Sequence, residues 1–523
     1  MVNIGSSTYN ENKAGFDIME GIPRGLSSKF LKAQSIPQAR WQSPELIRTH
    51  PLLQYDPENP RGKILFGCLG SQLLGIRDDR HILTIAGNRS GKSVMIICNL
   101  ILYDGSIFIL DPKGEHADLT ARRRSEMGQD VYVLDPYGRT KGAAKKFRAR
   151  YNPMNHLNIE DDCVIEDVMQ IIDGMIIKST SQSDPHWDDE SANAIKGFIL
   201  YVKFGSNIPD EKRNLITVRK LIAAAFSTEI IEDEKVYKIP RQIMAGIQHL
   251  KNGPNEDIAE IIENSIRGFY NKPADERGSV LSTMNRHTAF LEYRSMVKVL
   301  SGHSFDLSDI KSKANGMTLY LCFPATRMDQ CKRFLRIMFN QLIVAMETEE
   351  TIPKNRILGI LDEFPVLGFL QQIQDAIGQI ASFHFKLWVV CQDWGQGESL
   401  YGKRWDSFAA NAGMMQSFAT IDGPTNEYIS RRLGKTAVLG QSQGDTSYDQ
   451  KEKGIGGVNQ SKELHDLLSP SEVELTFGRG DKYKRQLIQL AALNPIICQR
   501  VEHYNKEAPY HHIFAGKYDS VKR

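Results

Sequence analysis

The feature that most constrains the fold of this chain is a series of short apolar runs, each of which ends in polar or charged residues. Seven such runs follow residue 61, and they read ILTIAG, IFILDPKGE, VYVLDP, LYLCFPA, RILGILDEF, KLWVVCQD and MMQSFATID. Near-continuous runs of Val, Ile and Leu are typical of strands buried on both faces, as in a parallel sheet covered by helices. The sequence therefore predicts an α/β fold. In such a fold ligands bind beyond the carboxyl ends of the strands, which is where these polar residues lie.

The long segment between VYVLDP and LYLCFPA shows a different pattern and exceeds the length of an ordinary connection between strands. Its apolar residues recur three and four positions apart, which is the spacing of helices that bury one face. This spacing occurs in the stretches EDVMQIIDGMI, ESANAIKGFILYVKF, LITVRKLIAAAF, IPRQIMAGIQHL and DIAEIIENSIRGFY. We therefore expect an all-α domain inserted into the sheet domain. Residues 440–462, which are polar and rich in glycine, are expected to form a mobile loop.

The polar stretch after the first apolar run has the residues of a phosphate-binding loop. Such a loop needs consecutive backbone N–H groups, a lysine for the outer phosphates, a hydroxyl for Mg²⁺ and a helix whose positive end lies beneath the charge. In LTIAGNRSGKSVMIICNL, residues 83–100, Lys92 supplies the cation and Ser93 the metal ligand. Ala86 stands where the general motif has its first glycine, but Gly87 is available for the turn. The predicted nucleotide-binding residues are Gly87, Asn88, Arg89, Ser90, Gly91, Lys92, Ser93 and Val94.

Two later apolar runs end in candidate catalytic side chains. RILGILDEF delivers two adjacent carboxylates, of which Asp362 is expected to hold Mg²⁺ and Glu363 to take a proton from an attacking water. An acidic pair at a strand end is usually a solvated turn. Here the pair indicates a catalytic site only because Lys92 occurs in the same chain. KLWVVCQD ends in Gln392, which is either a sensor of the terminal phosphate or a plain loop hydrogen bond.

Composition excludes several classes of site. The seven cysteines show no C-x-x-C spacing, which argues against a disulfide framework or a zinc site and favours a reducing cytoplasm. No apolar stretch has the length of a signal peptide or a membrane span. The net charge of +2 argues neither for nor against nucleic acid. The basic runs ARRR (121–124) and KKFRAR (145–150) either line a channel for a phosphate backbone or form solvated faces.

Taken in order, these stretches resemble the TraG/VirD-type coupling proteins of type IV secretion and conjugation, which belong to the FtsK/HerA group of hexameric RecA-like motors. AGNRSGKSV is similar to the family's A-P-T-R-S-G-K loop, which itself begins with alanine. SIFILDPKGE, RYNPM, HWDDESANAIKGFILYV, ERGSVLSTM and FDLSDIKS follow in family order. ILDEFPVLG is the most diagnostic piece, and WVVCQDWGQGESLYG, DGPTNEYISRRLGK, LLSPSEV and PIICQRVEHY complete the match.

The resemblance implies a RecA-like nucleotide-binding domain that hydrolyses ATP with Mg²⁺ in a homo-hexameric ring. It also implies single-stranded DNA carried with a relaxase, and components of a type IV secretion system, as partners. The boundaries we expect are 1–60 for an extended N-terminal arm, 61–155 and 316–515 for the RecA-like domain, 156–315 for the inserted all-α domain and 516–523 for a C-terminal tail.

The chain departs from the family in two ways. The usual N-terminal transmembrane helices have no counterpart, so we expect a cytoplasmic protein held at the inner face of the membrane by partners, including a separate membrane anchor. The arginine that reaches a neighbour's nucleotide is missing before KLWVVCQ, and the candidates for that contact are Lys386, Arg404, Arg431 and Arg432.

Two other functions compete with that of a DNA motor. One is a nucleotide-dependent recruitment platform, in which the helical insert binds protein effectors and DNA does not stimulate hydrolysis. The other is a GTPase or kinase. The N-K-x-D guanine motif is absent, since NKPA at 271–274 fails at its last position, and this argues against a GTPase.

Overall fold

The computed structural model describes residues 39–177, 185–369, 380–443 and 458–520, together with a short antiparallel pair of strands, β1 (Phe16–Asp17) and β2 (Ile22–Pro23). Within these residues, eleven strands form one sheet in the order β4-β3-β17-β16-β13-β5-β12-β11-β6-β10-β7. These strands are β3 (Ile64–Leu69), β4 (Gln72–Ile76), β5 (His81–Ala86), β6 (Ile107–Leu110), β7 (Asp130–Leu134), β10 (Met317–Leu321), β11 (Ile357–Leu361), β12 (Phe385–Cys391), β13 (Ala412–Phe418), β16 (Arg485–Leu490) and β17 (Ile496–Gln499).

The seven apolar runs of the sequence correspond to seven strands that pair in parallel, from β7 at one edge to β13. The predicted α/β fold with a mostly parallel sheet is therefore confirmed. Beyond β13 the sheet continues with antiparallel pairings through β16, β17, β3 and β4, which the sequence analysis did not predict.

Helices cover both faces of this sheet and fill the segment between β7 and β10. They are α1 (Pro44–Thr49), α2 (Lys92–Leu102), α3 (Glu115–Glu126), α4 (Val164–Met175), α5 (Pro185–Phe204), α6 (Leu215–Ala223), α7 (Lys238–Lys251), α8 (Glu256–Tyr270), α9 (Ala274–Thr288), α10 (Arg294–Leu300), α11 (Asp309–Ser312), α12 (Met328–Thr348), α13 (Trp394–Tyr401), α14 (Arg404–Ala410), α15 (Gly423–Leu433), α16 (Pro470–Phe477) and α17 (His511–Phe514). In the part of the chain that the structure describes, no helix is long and apolar enough to cross a bilayer.

The alternation of side chains along each strand divides the core into two layers. On one face, Leu83 and Phe108 belong to an apolar cluster that continues into the helical segment and includes Phe198 of α5. On the other face, Ile82 and Ile107 pack with residues of α2 and α3. The sheet is thus buried on both sides, and its carboxyl edge is left to loops.

The helical segment follows the sequence expectation closely, because all five amphipathic stretches form helices, α4 to α8. One element departs from an all-helical insert, namely the antiparallel hairpin of β8 (Thr228–Ile231) and β9 (Glu234–Tyr237). Its turn residues Glu232 and Asp233 both adopt positive φ, the backbone of a two-residue hairpin turn that usually selects glycine or asparagine. Without those residues the hairpin has only a weak sequence signal.

Part of the predicted mobile loop is also ordered. β14 (Lys435–Gln443) pairs with β15 (Val458–Asp466) as an antiparallel hairpin, so the expectation of a loop is wrong for residues 440–443 and 458–462. The remainder of that prediction, residues 444–457, lies outside the described residues.

The two ends of the described chain pack onto the sheet domain. At the N-terminal end, Ile47 of α1 and Leu53 are buried. At the C-terminal end, the Asp519 carboxylate accepts a hydrogen bond from Arg122 Nε of α3 at 2.7 Å. Residues 39–60 of the predicted arm are therefore docked on the sheet domain, whereas the domain boundaries themselves stay predictions.

Candidate active site

The candidate site lies at the carboxyl edge of three adjacent strands, with β12 between β5 and β11. The loop that follows β5 leads into α2, and the residues that follow β11 and β12 carry the predicted catalytic groups. A cavity of about 360 Å³ opens between these loops, and it is lined by Asn88, Arg89, Ser90, Gly91, Lys92, Ser93, Pro112, Lys113, Asp362 and Glu363. Most of the predicted nucleotide-binding residues and both carboxylates therefore converge on one cavity. Of the remaining predicted residues, Gly87 and Val94 flank the cavity along the chain.

The loop backbone explains which positions need glycine. Gly91 has φ of 96° where it caps the N-terminus of α2, and this left-handed conformation favours glycine. A Cβ on Gly87 would lie 2.3 Å from the carbonyl oxygen of Ala419, so that position excludes any side chain. Ala86, by contrast, is buried beside Phe418 and Ala419, where its methyl group belongs to the packing. Alanine in place of the motif's first glycine is thus compatible with the loop.

The Lys92 side chain turns back onto the loop that precedes it. Its Nζ donates hydrogen bonds to the carbonyl oxygens of Ala86 at 2.7 Å and Gly87 at 3.3 Å. Burial lowers the pKa of Lys92, and the carboxylates of Asp362 and Glu363 oppose that shift. Partial burial strengthens the attraction of this ammonium group for an anion, and the two carboxylates beside it favour an anion that brings a metal cation with it.

Glu363 occupies an unusual backbone conformation. Its φ of 66° lies in the left-handed region, which costs a non-glycine residue free energy and clusters at functional sites. The next residue, Phe364, is fully buried and stacks on Tyr401 with 5.6 Å between the ring centroids, which anchors the turn. Gln392 Nε2 lies 3.4 Å from Glu363 Oε1, so the structure brings these two predicted catalytic residues together.

Asp362 has a partner that the sequence analysis missed. His116 Nε2 lies 3.1 Å from Asp362 Oδ2, and the imidazole is buried, with no partner for its Nδ1 among the described residues. Burial lowers the pKa of His116, but the Asp111 and Asp362 carboxylates outweigh burial and raise it overall. His116 follows β6, which pairs with β11, and the sequence carries no signal for that adjacency.

Two more cations border the loop. Lys113, in the DPKGE stretch after β6, lines the cavity opposite the loop. Arg500 approaches from the other side, where its Nη1 donates to the carbonyl oxygen of Ser90 at 2.6 Å and its guanidinium lies over the Phe418 ring at 4.7 Å. Burial lowers the pKa of Arg500. Neither residue was a candidate, because both approach the loop only through tertiary contacts.

Other basic candidates do not face the cavity. Lys386 is buried at the amino end of β12, and its Nζ donates to the carbonyl oxygen of Asp78 at 3.2 Å. Proposing Lys386 for a contact with a neighbour's nucleotide was therefore wrong. Arg431 and Arg432 are exposed at the end of α15, with Arg432 over the ring of Tyr428 at 5.8 Å.

The first basic run is mostly structural. Arg124 is fully buried and donates to the carbonyl oxygen of Gly105 and to Gln129 Oε1, both at 2.6 Å. It cannot contact nucleic acid without unfolding of α3. In the second basic run, Lys145 and Lys146 are exposed, so only that run stays available to a phosphate backbone.

The family model described as Type IV secretory system Conjugative DNA transfer matches residues 28–520. Among curated proteins, the conjugal transfer protein TraG of Escherichia coli is 25% identical over 407 residues, covering 75% of this chain and 61% of that protein. The type IV secretion system-coupling protein VirD4 of Bartonella henselae is 23% identical over 441 residues, covering 82% of this chain and 63% of that protein. This chain therefore spans less than two thirds of the length of these relatives.

Solved structures show the same fold. The unbound bacterial conjugative coupling protein TrwB aligns with a TM-score of 0.57 at 14% identity, covering 91% of this chain and 96% of that chain. TrwB in complex with ADP and Mg²⁺ aligns equally well, with a TM-score of 0.57 at 14% identity and the same coverage. At this identity the likeness concerns the fold alone, and it confirms the predicted fold class.

Proposed function

This chain belongs to the type IV secretory system conjugative DNA transfer family, and from that membership we propose that it is an ATP-hydrolysing coupling protein. It recruits DNA, with a relaxase, and drives or gates the passage of that substrate into a type IV secretion channel. The observation that carries the proposal is the convergence of the phosphate-binding loop, Asp362 and Glu363 on one cavity, with Gln392 in contact with Glu363.

The cavity fits the triphosphate of ATP. Residues 88–93 line it at the N-terminal, positive end of α2, a position that favours bound phosphate. Lys92 places a cation at the same wall. Solved TrwB structures in complex with ADP and Mg²⁺ and with the ATP analogue ADPNP support nucleotide binding at the same fold.

The residues present also fit Mg²⁺. A serine hydroxyl, from Ser93, and a carboxylate, from Asp362, are the hard oxygen donors that Mg²⁺ takes alongside phosphate oxygens and water. When bound, Mg²⁺ would neutralise charge on the transferring phosphoryl group. His116 keeps the Asp362 carboxylate oriented toward the cavity, since its Nε2 engages Oδ2.

Catalysis then depends on Glu363. As a carboxylate it accepts the proton of the water that attacks the terminal phosphate. Gln392 contacts Glu363 and lies beyond the strand between the loop and the acidic pair, so it is placed to respond to the presence of that phosphate. Lys92 stabilises the charge of the transferring group electrostatically.

The assembly and partners are part of the same proposal. A homo-hexameric ring would place the nucleotide between subunits and surround DNA with the exposed basic residues. Relatives that are conjugal transfer and type IV secretion coupling proteins support partners in a secretion channel. A separate membrane anchor at the inner face of the cytoplasmic membrane stays a prediction.

The test is ATP hydrolysis by the purified chain with and without single- and double-stranded DNA, at low and moderate salt. We expect turnover to rise with DNA and the stimulation to weaken as salt is added, because binding to the phosphate backbone releases counterions. Turnover that DNA leaves unchanged, in a preparation shown to be assembled, would contradict a DNA motor. That result would favour the recruitment platform.

The contact between His116 and Asp362 makes a separate prediction. In a His116→Asn variant, the Mg²⁺ concentration for half-maximal hydrolysis at saturating ATP should rise about tenfold or more, because loss of a residue that orients a metal ligand weakens metal binding by that order. The matched control is His287→Asn. His287 is an equally buried histidine in α9, paired with Asp188 at 2.9 Å. If the Mg²⁺ concentration for half-maximal hydrolysis rises equally in both variants, His116 has no specific role in orienting Asp362.

A further inference from the structure

A second cavity, of about 200 Å³, lies against the other side of the phosphate-binding loop. It shares Arg89, Ser90 and Gly91 with the first cavity, so the two are separated by the loop alone. Its far wall is formed by Lys484 and by residues of the segment that follows β17, namely Arg500, Val501, Glu502 and Tyr504. None of the catalytic candidates lines this second cavity.

The positions of the catalytic groups set the direction of a bound nucleotide. Asp362 and Glu363 line the first cavity, so the terminal phosphate must lie there if these residues act on it. The phosphates follow the N–H groups of the loop toward the start of α2. The nucleoside, at the opposite end of the molecule, therefore leaves the loop on the side of Val94, which lines the second cavity.

The wall of this cavity has the chemistry that a nucleoside needs. Tyr504 is half exposed, although large aromatic side chains usually bury most of their surface. Its hydroxyl donates to Glu502 Oε1 at 3.1 Å, which places a carboxylate beside the aromatic ring. An exposed ring offers a stacking face to a base, and a carboxylate accepts hydrogen bonds from ribose hydroxyls.

The wall is tied to the loop by a buried contact. Arg500, which is 7% exposed, holds the carbonyl oxygen of Ser90 through Nη1. Glu502 is fixed in turn, because its backbone N–H donates to Tyr510 Oη at 3.2 Å. The wall of the second cavity is therefore fixed to the loop by hydrogen bonds, so the cavity is not a gap between independent segments.

We propose that Tyr504 and Glu502 form the nucleoside subsite, in which the base stacks on the Tyr504 ring and the ribose hydroxyls donate to the Glu502 carboxylate. This inference rests on the proposed function, since it concerns the nucleotide that the first cavity would hold. It assigns the C-terminal segment after β17 to substrate recognition, separate from the groups that act on the phosphates.

The experiment compares the affinities for ATP and for inorganic tripolyphosphate, which has the phosphates without the nucleoside. Tyr504→Ala should weaken ATP binding about tenfold, the order of one stacking interaction, and leave tripolyphosphate binding unchanged. Tyr504→Phe, which keeps the ring, should retain ATP binding within about threefold. Tyr483→Ala is the matched control, because Tyr483 is similarly exposed, at 55% against 50%, and does not line the cavity.

The outcomes separate this inference from the proposed function. If Tyr504→Ala changes neither affinity, or lowers both equally, the subsite is wrong while nucleotide binding stands. If the unaltered protein binds neither ATP nor tripolyphosphate, the proposed function fails and the subsite fails with it. A loss confined to ATP in Tyr504→Ala, absent from Tyr483→Ala, supports the assignment.

Discussion

Replacing Glu363 with glutamine is expected to lower ATP hydrolysis at least about a hundredfold while ATP binding is retained. The change removes the proton-accepting carboxylate but keeps the length and shape of the side chain, and a general base contributes about 10²- to 10⁴-fold to a rate. Glutamine also keeps the anchored backbone, in which residue 363 has φ of 66° and is followed by the buried Phe364. Its amide oxygen still accepts from Gln392 Nε2, so the contact between the two side chains survives.

The measurement is single-turnover hydrolysis beside equilibrium binding of ATP, both at saturating Mg²⁺. Glu398→Gln serves as the control, because Glu398 lies exposed on α13, close in sequence to Gln392 but outside the cavity. A Glu363→Gln protein that hydrolyses ATP within a few-fold of the unaltered rate would show that another group activates the water. Loss of binding together with turnover would instead indicate that Glu363 supports the shape of the site.

Replacing Lys92 with alanine is expected to abolish both tight ATP binding and hydrolysis. The ammonium group is the loop's own cation, and removal of one preorganised group that stabilises developing charge costs about 10²- to 10³-fold in rate. The fold should survive, because Lys92 bonds only to carbonyl oxygens of its own loop and burial already disfavours its charged form. We expect the midpoint of thermal unfolding without nucleotide to stay unchanged or to rise slightly.

The check combines calorimetric titration with ATP, steady-state hydrolysis and thermal unfolding with and without ATP and Mg²⁺. Ligand that binds the folded state raises the midpoint, so the unaltered protein should show a shift that Lys92→Ala lacks. Lys145→Ala, an exposed lysine outside the cavity, should behave as the unaltered protein. Retention of the ATP-dependent shift in Lys92→Ala would mean that the triphosphate does not depend on this loop.

Local pattern was enough to predict the central strands and the loop. The strands that contain Ile85, Leu110 and Leu361 are buried at every position and are mostly apolar, because both of their faces are covered. The loop could also be predicted from local pattern, because the backbone turn at Gly91, the cation Lys92 and the hydroxyl of Ser93 are consecutive. A phosphate-binding loop can therefore be recognised in a sequence without knowledge of any distant residue.

The edges of the sheet were not predictable in this way. β16, β17, β3 and β4 come from both ends of the chain, and they pair beyond β13 only because the termini return to the same side of the domain. Hairpin β8–β9 turns through Glu232 and Asp233, without the glycine or asparagine that usually marks such a turn in a sequence. Packing around these segments, and not local propensity, decided their conformation.

The sequence by itself determined the parallel α/β core, the phosphate-binding loop, the acidic pair and the helical character of the insert. The tertiary structure alone decided which side chains meet: Gln392 with Glu363, His116 with Asp362, and Arg500 with the loop at Ser90. It also showed that the Lys386 side chain is buried, with its Nζ on the carbonyl oxygen of Asp78. The physical reason is that periodicity and turn chemistry act over a few residues, whereas strand order places residues hundreds of positions apart within hydrogen-bonding distance.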